Sequence, residues 1–188
     1  PQGAAILLTG TNGQGKTRLM ELALHHARRL GLNVARGRSR RTDRPFGAFA
    51  PIYEKLRQGP HAVLDPVFAG DAMPERYPVI AAFKDLLLQA APCVVAIDDL
   101  ENADAATVEL LTYLVRNTLE LEHHPIVFLL AHESPEQAVL REVTSLDAVD
   151  TEVLGPLEAA EVEELVVSVL GHGPAALALS ARLHSESS

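Results

Sequence analysis

The eight residues Gly10-Thr11-Asn12-Gly13-Gln14-Gly15-Lys16-Thr17 fit the pattern G-x-x-x-x-G-K-[ST], after an apolar run over residues 4–9 and at the opening of a stretch of helical period. Few folds can hold such a loop, because it works only between a buried strand and a helix. Its glycines let the backbone curl until successive N–H groups face one anion, and the helix N-terminus adds the positive end of its dipole. In that geometry Lys16 reaches the β and γ phosphates of a nucleoside triphosphate, and the Thr17 hydroxyl ligates Mg²⁺. Backbone from Gly10 through Arg18 lines the phosphates. A glycine-rich turn that holds nothing is the plainer alternative, and the strand before it and the helix after it argue against that.

The rest of the chain agrees with such a loop. Apolar runs of strand length alternate with longer stretches of helical period, the pattern of a parallel sheet covered by helices on both faces. The fold class is therefore α/β, with five strands expected at residues 4–9, 33–37, 93–97, 126–131 and 152–154. Leu19, Leu22, Ala23 and Leu30 give the first helix an apolar stripe, and Gly31 stands where a helix end takes a positive φ. Residues 45–92 read as a proline-rich helical insert, with helical pieces at 52–58 and 79–89. Further helices are expected at 107–119, 158–170 and 175–183, the last two separated by a turn at 171–174, with a loose end over 185–188. A length of 188 residues suits one domain spanning 1–188, with C-terminal helices over 156–188. Pro1 stands three residues before the first strand, so both ends read as cut from a longer chain.

A phosphate loop needs a carboxylate at the end of a neighbouring buried strand, to hold the metal and to orient the attacking water. Cys93-Val94-Val95-Ala96-Ile97-Asp98-Asp99 supplies two. Ionised groups directly after five apolar residues are costly unless they pair or face a cation. Asp98 is accordingly assigned to Mg²⁺, and Asp99 to the role of general base or water-orienting group. By itself the pair could equally be a helix cap; beside the loop it points to a metal site.

Composition narrows the partners. The formal net charge is −9, which opposes binding to phosphate backbones. Arg36, Arg38, Arg40, Arg41 and Arg44 form the one dense basic stretch, and read as a solvated strand end and loop rather than a nucleic-acid patch. DNA would be reached only through a domain outside these residues. No apolar run approaches the ~20 residues of a membrane span, and no leader pattern is visible. A lone cysteine, Cys93, lies in an apolar run, fits core packing and suits a reducing, cytoplasmic setting.

Beyond the end of the third strand the chain resembles a known family. Asp98-Asp99-Leu100-Glu101-Asn102-Ala103-Asp104, then Leu110-Leu111-Thr112-Tyr113-Leu114, is similar to the Walker B strand and following helix of STAND-type AAA ATPases, in particular the N-terminal ATPase of large ATP-binding regulators of the LuxR kind. The stretch 37–46, ending in Pro45-Phe46, and Leu154-Gly155-Pro156-Leu157 with Glu161 resemble further segments of that family. The resemblance implies a strand order of 5-1-4-3-2, ATP as the nucleotide, and a switching role beside other domains of a longer chain, with homo-oligomers left open. No guanine-reading Asn-Lys-x-Asp occurs.

There are departures. The family's usual His-Trp is replaced by Glu101-Asn102, and the strand at 126–130 runs on to Ala131-His132-Glu133-Ser134 where the family carries an arginine that senses the γ-phosphate. That implies slow hydrolysis, with His132 or Ser134 as candidate contacts and Glu133 turned away from the phosphates. A brisk P-loop kinase or motor and a binding module without hydrolysis are the alternatives. Adjacent pairs His25-His26 and His123-His124 cannot share one helix face and read as surface histidines, Arg116 and Arg141 as solvated, and Glu158, Glu161, Glu163 and Glu164 as an acidic helix start favoured by the dipole.

Overall fold

A computed structural model of the chain describes residues 3–41, 44–70, 75–133 and 141–187. Among them five strands form one parallel sheet: β1 (Ala4–Thr9), β2 (Asn33–Arg38), β3 (Cys93–Asp98), β4 (Ile126–His132) and β5 (Val149–Val153). Their spatial order is β2-β3-β4-β1-β5, which read from the other edge is the expected 5-1-4-3-2. The helices are α1 (Lys16–Arg29), α2 (Ala50–Leu56), α3 (Leu64–Ala69), α4 (Arg76–Ala90), α5 (Ala105–Val115), α6 (Arg141–Thr144), α7 (Ala159–Leu170) and α8 (Pro174–Ser187).

Strand alternation sorts the sheet's side chains into two layers. Ala5, Leu7, Val95, Ile97, Phe128 and Leu130 face α2, α4 and α5 and merge with Phe49, Tyr53, Phe83 and Leu111 into the main core. The neighbouring positions Leu8, Val34, Val94, Ala96, Leu129 and Ala131 face α1, which contributes Met20, Leu24 and Ala27. This corrects the stripe read from the sequence: Leu19, Leu22, Ala23 and Leu30 are exposed, because the i, i+4, i+7 set Met20, Leu24 and Ala27 is the one turned to the sheet. In the main core Phe83 meets Phe49 edge-on, with ring centroids 4.9 Å apart. β3 is buried along its whole length, as a central strand covered on both faces must be. Gly37 is required by packing: a Cβ there would run into the Ala48 carbonyl of the 3₁₀ turn Gly47–Phe49 lying over β2.

Several boundaries differ from the sequence reading for identifiable reasons. β5 begins at Val149 rather than at residue 152, because it is an edge strand, paired among the described residues with β1 alone, and its Asp150, Thr151 and Glu152 are exposed, so no apolar run marks it. α4 starts at Arg76 and carries Pro78 in its first turn, where a missing N–H costs nothing. α5 stops as an α-helix at Val115 and widens into a π turn over Arg116–Leu121. α8 begins at Pro174 and is helical through Ser187, in place of the loose end expected there. α7 opens on a capping box, in which the Glu158 and Glu161 side chains each accept from the other's backbone N–H. α7 and α8 bury Val162, Val166 and Ala176 in a small separate cluster.

Candidate functional site

β1 delivers the loop to the carboxyl edge of the sheet, where Thr9 is in register with His132 of β4 and Val153 of β5. Gly13 and Gly15 have φ of 89° and 85°, the left-handed region that glycine enters without strain. Nothing lies within 4 Å of where a Cβ would stand on either, so what glycine supplies here is the backbone turn, with open space in front of it. Gly15 occupies the N-cap of α1 with no side-chain cap, and no acidic residue stands in the helix's first turn. That leaves the first N–H groups of α1 for an anion. Lys16 Nζ donates to the carbonyls of Gly10 at 2.6 Å and Thr11 at 3.0 Å, folding its ammonium over the loop. Gln14 Oε1 accepts from the Thr11 N–H at 2.6 Å and closes the loop from within. Thr11, Asn12 and Arg18 are exposed.

The two acids end β3 beside this loop. Asp98 is 1% exposed, and its Oδ2 accepts from Thr17 Oγ1 at 3.0 Å, joining residues 81 apart in sequence. The same oxygen accepts from Arg36 Nη2 at 2.8 Å, while Oδ1 accepts from the Asp99 N–H at 3.1 Å. Asp99 has φ 55°, which turns the chain out of the strand, and its carboxylate pairs with Arg38 Nε. That hydrogen bond and the Asp99 charge raise the Arg38 pKa above its ordinary value. The exposed Thr17 hydroxyl and a buried Asp98 carboxylate oxygen, 3.0 Å apart, are hard oxygen donors of the kind Mg²⁺ takes, so Thr17 and Asp98 fit the metal the sequence assigns to them.

Arg36 and Arg38 require a correction. Both were read as part of a solvated strand end; Arg38 is indeed exposed, but each holds one of the two acids, and Arg36 is only 30% exposed. The physical reason is register: Arg38 pairs with Asp98 along the β2–β3 ladder and Arg36 with Ala96, so alternate residues bring both guanidinium groups to the acidic strand end. The signal was present as two arginines spaced by two on a strand, but it becomes legible only once the neighbouring strand is known.

Other groups brace the site. Asp104 caps α5 by accepting from the Thr107 N–H at 2.9 Å, and reaches back to the N–H groups of Phe46 at 3.1 Å and Gly47 at 3.3 Å. Glu101 accepts from the Glu133 N–H at 3.3 Å, tying the end of β4 to the turn after β3. His132 is wholly buried, and Ser134 lies outside the described residues. His25, His26, His123, Arg116 and Arg141 are exposed. Cys93 is buried, and burial pushes its thiol up to about 11.

A model of the AAA ATPase domain family matches residues 1–129. No curated protein sequence is a significant match. Among solved structures, the chain is similar in fold to a Pyrococcus horikoshii signal transduction ATPase with numerous domains that carries a tetratricopeptide repeat sensor, with TM-score 0.61 and 15% identity over 98% of this chain and 25% of that one. The Aeropyrum pernix ORC1 protein in complex with DNA matches with TM-score 0.59 and 18% identity, over 88% of this chain and 43% of that one. Drosophila ORC bound to DNA matches with TM-score 0.57 and 20% identity, over 87% and 40%. The chain thus spans less than half the length of each of these proteins.

Proposed function

From the premise that this chain belongs to the AAA ATPase domain family, we propose that it is an ATP-binding switch that hydrolyses its nucleotide slowly within a larger bacterial signalling or transcriptional regulator of the LuxR kind it resembles. The observation that carries this reading is the contact of Thr17 with Asp98 beneath the glycine loop, since it gathers Lys16, a hydroxyl and a buried carboxylate at one strand edge. On this reading Lys16 leaves the Gly10 and Thr11 carbonyls for the β and γ phosphates, and the N–H groups from Gly13 to Arg18 receive the remaining phosphate oxygens. Thr17 and Asp98 would hold Mg²⁺, whose charge offsets that of the phosphates. Asp99 accepts the proton of the water that attacks the γ-phosphorus, and the products are ADP and phosphate.

Two features favour slow turnover. Asp99 is paired with the Arg38 guanidinium, whose positive charge makes its carboxylate a weaker proton acceptor. At the end of β4 the chain places His132 and Glu133 and no arginine, so a positive group for the developing charge is missing from that position. Slow hydrolysis suits a switch, in which bound ATP favours one arrangement of neighbouring domains and its loss another; this requires contacts to the γ-phosphate that differ between the two states. With a net charge of −9 the chain would meet DNA through another domain rather than by its own surface.

Single-turnover phosphate release tests the proposal, using the protein mixed with ATP and Mg²⁺. We expect slow release from the wild type, and from Asp99→Asn a loss of roughly 10²-fold or more at undiminished ATP affinity, within the range that general-base groups contribute. ATP retained unchanged by the wild type over hours would instead make the chain a binding module, and brisk release would favour the kinase or motor alternative.

A further inference from the structure

Arg36 lies on the α1 face of β2 between two carboxylates. Its Nη2 donates to Asp98 Oδ2 at 2.8 Å, and its Nη1 to Glu21 Oε1 of α1 at 3.1 Å. The two carboxylates differ in surroundings, Asp98 being 1% exposed and Glu21 47%. A buried carboxylate is costly without a countercharge, and Arg36 is that countercharge. The oxygen it holds is the one that Thr17 Oγ1 also reaches, so the guanidinium competes for the atom assigned to the metal.

We propose that Arg36 is the resident counterion of the metal subsite and sets how strongly Mg²⁺ is coupled to nucleotide: metal entry requires Arg36 to withdraw from Asp98, and Glu21 is the berth that receives it. The inference rests on the assignment of Thr17 and Asp98 as metal holders. Arg36 touches neither nucleotide nor metal in this scheme and is a positioning residue. Its withdrawal is a short one, because the bond to Glu21 is already made. A guanidinium suits this two-ended role, since its planar fork offers donors to two carboxylates at once.

The readout is the ratio of ADP affinities with Mg²⁺ and with a chelator, measured by titration calorimetry, which reports metal coupling and cancels any direct effect on ADP. Arg36→Gln should raise that ratio about tenfold, of the order expected from removing one unit charge near a partly solvated cation. Arg36→Lys, which keeps the charge but loses the fork, should fall between the wild type and Arg36→Gln. Glu21→Gln, which leaves Arg36 with Asp98 alone, should lower the ratio about threefold. The decisive comparison is the double variant: if Glu21 acts through Arg36, then Glu21→Gln has no effect in the Arg36→Gln background. A ratio unchanged in Arg36→Gln, or a Glu21→Gln effect that persists without Arg36, overturns the proposal. If Arg36→Gln does not fold, a Glu21→Gln ratio equal to the wild type, at this exposed position, overturns it as well. Failure of the wild type to bind ADP at all would remove the nucleotide site itself, an outcome distinct from ADP binding whose metal dependence no variant changes.

Discussion

On one face of the sheet Phe49, Tyr53, Phe83 and Phe128 are wholly buried with α2, α4 and α5, whereas on the other, among the described residues, α1 alone lays Met20, Leu24 and Ala27 over Val34, Val94, Ala96 and Leu129. The thinner face also changes character along its strands. On β2 and β3 the row begins with Val34, Val94 and Ala96 and ends in Arg36 and Asp98 at the carboxyl edge. One face therefore carries most of the apolar burial, and the other keeps a charged edge where α1 begins. Burial of the Phe49, Phe83 and Phe128 rings on the first face supplies stability without polar groups to satisfy, whereas the second holds a carboxylate that is 1% exposed.

The largest effect should come from breaking the thick face. Phe83→Ala is expected to lower unfolding free energy by about 3–5 kcal/mol in denaturant titration, as removal of a buried ring does, while ADP affinity of the folded protein stays as it was. Leu24→Ala on the thin face is expected to cost about 2–4 kcal/mol and also to weaken ADP binding, because α1 positions the loop at its own start. If both variants change nucleotide affinity alike, the division of labour between the faces is wrong.

A smaller effect sharpens the comparison at the join between α5 and the stretch before α2. Asp104→Ala removes the α5 cap and the two acceptors for the Phe46 and Gly47 N–H groups, and should destabilise by about 1–2 kcal/mol. A loss below a few tenths would show that the link between these segments does not depend on this side chain.

The smallest effect is a titration. Burial, then the hydrogen bond to Asp65, pushes the Tyr53 phenol up to about 12 from an ordinary value of 10.0. Since its folded pKa is raised, the stability it contributes is fully present below pH 10.0 and is lost as pH rises towards about 12. Ultraviolet titration should show one tyrosine ionising near pH 12, and Tyr53→Phe should delete that component. Its survival in the variant would mean that the packed face does not shield this ring.

Much of this was legible in the residues. Strands β1, β3 and β4 are apolar runs buried on both faces, so their positions could be read directly, and the loop motif fixed what lay between the first strand and α1. β5 could not be placed as well, since an exposed edge strand of Val-Asp-Thr-Glu-Val has no burial pattern to print on its sequence. α3 went unread because six residues containing Pro66 carry too little period. Lys16, Thr17 and Asp98 could be singled out in the sequence because loop and strand end each carry their own local signal, and the structure brings Thr17 and Asp98 into contact. The partners of the acids were missed because Arg36 and Arg38 acquire meaning only from the register of β2 on β3, and Asp104 only from the approach of Phe46 and Gly47.

Equilibrium binding of ATP with Mg²⁺ to the wild type and to Lys16→Ala tests the central claim most directly. The account expects the wild type to bind and Lys16→Ala to lose roughly ten- to hundredfold in affinity, the worth of hydrogen bonds from a charged donor, with its melting temperature in the absence of nucleotide nearly unchanged. Equal affinity in the two proteins, or no binding by the wild type, would contradict it.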